Sequence, residues 1–155
     1  MTRRTEGLLL AGFLALTLGG GFIAGRTVTP GLAWYETLAK PAFTPPAWVF
    51  APVWTALYVA MAVAAWRIAV RASGGRHLAL WLLQLALNLI WPSIFFGLHA
   101  PAFALVELGL LAVLLLMTVA AFWPKDRIAA WLMLPVLVWV SFAGLLNAAV
   151  WRLNG

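Results

Sequence analysis

Apolar residues in this chain do not alternate with polar ones. They run on for about twenty positions, then break at short polar or charged punctuation. No charge falls between Glu6 and Arg26, which predicts a first span over residues 7–25. Further runs over 46–66, 78–98, 101–123 and 128–151 predict four more. Each is close to the roughly 20 residues that a helix rising 1.5 Å per residue needs to cross about 30 Å of hydrocarbon. Backbone groups in lipid must be satisfied within their own segment, and no barrel-like alternation is present. The expected fold is therefore an all-α integral membrane protein: one domain, 1–155, of five transmembrane helices.

The connectors set the topology. Residues 26–45 show no helical pattern and carry Trp34, Tyr35 and Phe43, so they predict a long aromatic loop folded over one end of the bundle. Pro45-Pro46 would then start the second helix, where a missing N–H does no harm. Ser73-Gly74-Gly75 reads as the turn between the second and third helices. Arg3, Arg4, Arg67, Arg71, Arg76, Lys125 and Arg127 fall on the N-terminal side, against Arg26, Lys40 and Arg152 on the other. In a bacterial inner membrane that bias predicts a cytoplasmic N-terminus and an outer C-terminus. The first span also has the basic start of a signal peptide, but it is longer than the usual apolar segment of one and lacks a clear cleavage site.

Composition narrows the function. Hydrophobic residues make up 65% and charged residues 9%, far from the roughly one quarter charged in a soluble domain. The net charge of +6 is scattered over segment ends and forms no basic face, which excludes nucleic acid and suits anionic lipid headgroups. Cysteine is absent, so disulfides and thiolate metal sites are too. His77 and His99 stand at opposite ends of the third helix, and no Ser/His/Asp set, phosphate loop or HExxH occurs. No metal and no required cofactor is expected.

Candidate chemistry lies inside the spans. Gln84, Asn88 and Trp91 share one face of the third helix, with Phe95 a turn further, either as interhelical glue or as a polar patch in a cavity. Of ten tryptophans, Trp34, Trp48, Trp66, Trp81, Trp123, Trp131 and Trp151 lie near span ends, where an interfacial belt explains them. Trp54, Trp91 and Trp139 lie deeper. Trp54 heads a stripe with Tyr58, Met61 and Ala65; Pro135, Trp139, Phe142 and Leu146 form another. Such stripes are either core packing or the walls of a slot for a flat ligand. Pro52, Pro92 and Pro135 predict kinks that leave room between helices. Glu107 is the carboxylate inside a span, either functional or near headgroup level. Gly21 and Gly25 form a GxxxG, and Ala56, Ala60 and Ala64 a small-residue ridge, for close contacts within a monomer or across a dimer.

Three blocks carry a resemblance. They are Trp34-Tyr35 through Trp54-Thr55-Ala56-Leu57-Tyr58, with Lys40-Pro41 and Pro45-Pro46; Gln84-Leu85-Ala86-Leu87-Asn88 with Trp91-Pro92 and Phe95-Phe96-Gly97; and Pro135, Trp139, Phe142-Ala143, Leu146-Asn147 and Trp151-Arg152. The chain resembles the translocator protein family, also called the TspO/MBR or tryptophan-rich sensory protein family, which includes the mitochondrial peripheral-type benzodiazepine receptor. The resemblance implies a five-helix bundle, usually a homodimer, whose cavity is closed by the first loop. It implies a porphyrin ligand such as protoporphyrin IX or haem, isoquinoline carboxamide and benzodiazepine drugs, and cholesterol in animals. Family pocket positions fall on Tyr35, Pro45, Trp54, Asn88, Phe95, Trp139, Phe142, Ala143 and Leu146, beside Trp91 from the polar face. Arg26 and Lys40 are placed to pair with propionates.

The implied function is tetrapyrrole binding for transport, sensing or regulation of tetrapyrrole metabolism. The alternatives are light- and oxygen-dependent porphyrin degradation, with Trp54 and Trp139 catalytic, and lipid or sterol carriage. Two departures bear on these. The last helix lacks the tyrosine of the family's cholesterol segment, and Val136 stands where an aromatic often follows the proline, which should widen the pocket.

Overall fold

The computed structural model describes residues 2–71 and 75–155. Ser73 and Gly74 of the expected turn lie outside them, and Gly75 opens the third helix. Among the described residues, five helices are long and apolar enough to cross a membrane: α1 (Arg3–Thr37), α2 (Ala47–Arg71), α3 (Gly75–Pro92, continued by a π-helical turn Ser93–Gly97), α4 (Pro101–Phe122) and α5 (Arg127–Asn154). The chain is a multi-pass integral membrane protein, all-α as expected.

One expectation fails. Residues 26–45 do not form a long loop: α1 runs on to Thr37, and only residues 38–46 link it to α2. At 35 residues α1 is roughly 52 Å long, well beyond the hydrocarbon thickness. Arg26 looked like a span end because it is charged, but it is exposed and lies near the Phe22 ring, 6.0 Å from its centroid. Pro30 removes a single backbone bond from the helix. Gly31 then fits so tightly against the backbone of Phe96 that a Cβ there would collide with the Phe96 carbonyl oxygen. Docking of α1 on the π-helical turn holds the extension in place.

The helix starts follow from local chemistry. Thr2 caps α1 by accepting from the Thr5 N–H, and Asp126 caps α5 by accepting from the Ala129 N–H at 2.9 Å. Pro101 opens α4, where no N–H is needed. Asp126 also binds Arg67 (2.9 Å) and Arg71 (3.2 Å), tying the end of α2 to the α4–α5 link. Burial alone pushes the Asp126 carboxyl up. The Ala129 N–H and the two guanidinium groups outweigh it and hold the group below the ordinary carboxylate range.

The helices pack in a ring: α1 on α2, α2 on α5, α5 on α4, α4 on α3, and α3 with its π-helical turn back on α1. Toward the N-terminal side the ring is solid. Met61, Ala65 and Ile68 of α2, Trp81 and Leu85 of α3, Leu111, Leu115 and Phe122 of α4, and Met133 and Val140 of α5 fill it. Two expectations are corrected there. Trp81 is no belt residue but is fully buried, donating its indole N–H to the Met61 carbonyl at 3.1 Å. Val136 is packed in the same core and widens no pocket. Gly21 of the GxxxG serves a contact within the chain, against the Tyr58 ring.

Candidate functional site

Toward the other side the ring is hollow. A cavity of about 910 Å³ is walled by α1, residues 40–45 of the link, α2, α3 with its π-helical turn, and α5. That is at the upper end of the roughly 300–1,000 Å³ usual for small-molecule sites. No α4 residue lines it; α4 backs the wall from outside.

Aromatic side chains make two groups on opposite arcs of the ring. On the α1–α3 side Trp91 stacks on Phe95 (5.2 Å between centroids, 25° between planes), and Tyr35 meets both Phe95 and Phe96 edge-on or tilted. On the α2–α5 side Trp54 stacks on Tyr58 (5.6 Å, 29°), and Phe50 meets the Trp139 ring edge-on at 5.9 Å. The space between is bounded by ring faces and edges, which suits a flat, largely apolar ligand.

Polar atoms are few and poorly served. Asn88 is buried with neither its amide oxygen nor its nitrogen paired, and the Trp91 indole N–H is also free. Asn147 donates to the Pro101 carbonyl at 2.7 Å while its oxygen stays unpaired. Buried polar atoms are almost always satisfied, so these atoms on the cavity wall are the hydrogen-bonding positions it offers to whatever occupies it. Gln84 lies outside the lining. Its nitrogen approaches the Met61 sulfur at 3.6 Å, and it belongs to the solid half as interhelical glue.

The cations differ. Lys40 donates to the carbonyls of Leu38 (3.0 Å) and Glu36 (3.4 Å) and sits 4.7 Å from the centre of the Tyr35 ring, so it closes the end of α1. Arg26 has no carboxylate partner among the described residues. Both border the cavity.

Of the residues singled out from sequence, Tyr35, Pro45, Trp54, Asn88, Trp91, Phe95, Trp139, Ala143 and Leu146 all stand on the wall. Phe142 does not: it lies behind it, between Trp139 (5.5 Å) and Phe43 (6.4 Å). Glu107 is buried on α4, away from the cavity, with both carboxylate oxygens unpaired. What the sequence reading missed is the α1 wall, formed by Leu18, Phe22, Gly25, Thr29 and Leu32. Their spacing of i, i+4, i+7, i+11 and i+14 was a helical signal running straight through the supposed loop. Among the described residues no group of three or more His, Cys, Asp or Glu converges. His99 instead stacks on Trp34 at 4.3 Å, with a positive φ of 52°.

The fold and cavity define a polytopic membrane protein with a tryptophan-lined internal chamber. A sequence profile of the TspO/MBR family matches residues 13–152. The chain is 40% identical to the translocator protein of Sus scrofa over 149 residues, 92% of this chain and 88% of that one. It is 40% identical to the tryptophan-rich protein TspO of Chlorobaculum tepidum over 155 residues, 95% and 96% of the two chains. It is 38% identical to protein CrtK of Rhodobacter capsulatus over 146 residues, 92% and 89%. The chain belongs to the TspO/MBR family.

Proposed function

We propose that this protein binds a tetrapyrrole, with protoporphyrin IX as the reference ligand, and acts in porphyrin transport, sensing or regulation of tetrapyrrole metabolism. The observation that supports it most is the chamber of about 910 Å³ between two groups of aromatic rings, with cations at its border. A planar macrocycle stacks between Trp91–Phe95 and Trp54–Trp139, and its propionates turn to Arg26 and to the N–H that Lys40 has left. In a bacterial inner membrane the charge bias favours a cytoplasmic N-terminus and an outer C-terminus, and the reading takes a homodimer as the working unit, as the family resemblance implies. Isoquinoline carboxamide and benzodiazepine-type compounds would compete for the same chamber.

Absorbance titration with protoporphyrin IX in nanodiscs tests the reading: the outcome in its favour is a saturable Soret change in darkness. Arg26→Gln should weaken binding of the free acid and leave the dimethyl ester unaffected; equal loss for both would remove Arg26 from the propionate role. A second reading, photo-oxidative degradation, draws on Trp54 and Trp139 lining one chamber, with Trp54 stacked on an oxidisable phenol. Under light and oxygen that reading requires bleaching that is lost in Trp139→Phe and kept in Trp151→Phe. Displacement of porphyrin by cholesterol would favour a sterol carrier instead.

A further inference from the structure

The cavity wall is not equally closed all round. At the back, Asn88, Phe95, Asn147 and Val150 line the chamber yet are at most 3% exposed. Along α1, Leu18, Phe22, Gly25, Arg26, Thr29 and Leu32 line the same chamber and are exposed, Phe22 by 69%. Facing them on α2, Ala47, Ala51 and Thr55 are lining and exposed too. Exposure confined to two neighbouring helices marks an opening between them, at membrane depth.

The packing of α1 explains the gap. On the solid side α1 is pinned to α2: Gly21 fits against the Tyr58 ring, and the Trp66 indole donates to the Glu6 carbonyl at 3.0 Å. Beyond Gly21 the fixed contacts change partner. Gly31 seats on the Phe96 backbone, and Trp34 packs on Phe95 (5.6 Å) and stacks on His99. The Gly21 and Glu6 contacts fix the lower part of α1 to α2, and the Gly31 and Trp34 contacts fix its upper part to the π-helical turn and the α3–α4 link. The small side chains of Gly25, Ala47, Ala51 and Thr55 leave the space unfilled.

The aqueous end, by contrast, is fastened. The Asn154 side chain at the end of α5 pairs with both backbone groups of Ala39, accepting from its N–H and donating to its carbonyl, each at 2.9 Å. Lys40 anchors the same link to α1.

We infer that ligand enters and leaves through the slit between α1 and α2, directly from the bilayer, while the Asn154 clasp keeps the aqueous mouth shut. This deepens the ligand-binding reading above and rests on it. The slit selects a ligand already dissolved in the membrane. Arg26 stands on its edge, six residues and roughly 9 Å of helix below Leu32, and its long side chain can reach toward the interface. The favoured cargo is therefore an amphiphile with an apolar body and a carboxylate or phosphate end.

The absence of cysteine makes the test clean. A spin label on Ala51→Cys should collide with oxygen, which concentrates in lipid, far more than with an aqueous nickel chelate; the reverse ratio overturns the slit. An added Cβ at Gly25 meets nothing within 4 Å, so Gly25→Phe should fold and plug the opening. In stopped-flow with nanodiscs it should slow both association and dissociation of protoporphyrin IX by at least tenfold. A site lesion would instead speed dissociation. Rates within twofold of wild type overturn the route, and Ala51→Leu serves as a second plug if Gly25→Phe is unstable. Asn154→Ala in the plugged protein should restore exchange through the freed mouth; no recovery overturns the clasp. Phosphatidic acid and protoporphyrin as competitors separate a lipid phosphate from a free carboxylate as the preferred end. If the wild type binds no porphyrin, the functional reading fails, while the spin-label ratio still decides the slit.

Discussion

Replacing Trp54 by alanine should weaken protoporphyrin IX binding by roughly 2- to 13-fold, and the smallness of that effect follows from the solvent. Burying an indole face against a ligand arriving from water would be worth several kcal/mol at about 25 cal/mol per Å². Here the ligand arrives from lipid or detergent, already out of water, so that transfer gain is absent. What remains is the stacking preference of aromatic pairs, about 0.5–1.5 kcal/mol, and 1.4 kcal/mol is tenfold in Kd. Trp54 is on the chamber wall and stacked on Tyr58, so its removal also loosens that ring. The assay is a Soret titration in nanodiscs, with Trp81→Phe as the control. Trp81 is fully buried in the solid half and holds Met61, so its loss should lower thermal stability and leave affinity unchanged. Unchanged affinity in Trp54→Ala together with a loss in Trp81→Phe would refute the placement of the ligand.

Asp126→Asn keeps a helix cap but leaves Arg67 largely buried without its counter-charge, so it should destabilise the bundle by roughly 3–5 kcal/mol, read as a lower melting temperature in detergent. Because the native Asp126 carboxyl is held below its unfolded value, its contribution is complete above about pH 4 and fades as pH falls through the lower native pKa. Melting curves between pH 7 and pH 2 should show an acid loss in the wild type that Asp126→Asn lacks. Gly31→Ala drives a Cβ into the Phe96 carbonyl and should cost about 1–3 kcal/mol, whereas Gly109→Ala, which meets nothing within 4 Å, should be neutral; similar melting temperatures for both would refute the close α1 contact.

The five crossings, the side on which most cations collect, and the depth of Trp54, Trp91 and Trp139 are legible in the sequence alone. Length and apolarity fix a crossing whatever it packs against, because the bilayer imposes them on each segment separately. The sequence did not determine which face of each helix turns inward. In lipid a helix is apolar all round, so the pattern that orients a soluble helix is weak, and inward faces are chosen by close fit and a few hydrogen bonds. That is why Trp81, expected in the interfacial belt, is fully buried in a solid core, while Trp54 stands on a chamber wall. The charge at Arg26 likewise masks a helical spacing that runs on through Thr29 and Leu32, and the seat of Gly31 on the π-helical turn at Phe96, made by residues far along the chain, fixes where that extension docks. Ring closure by α1 and α3 then decided that one half of the bundle is filled and the other left open.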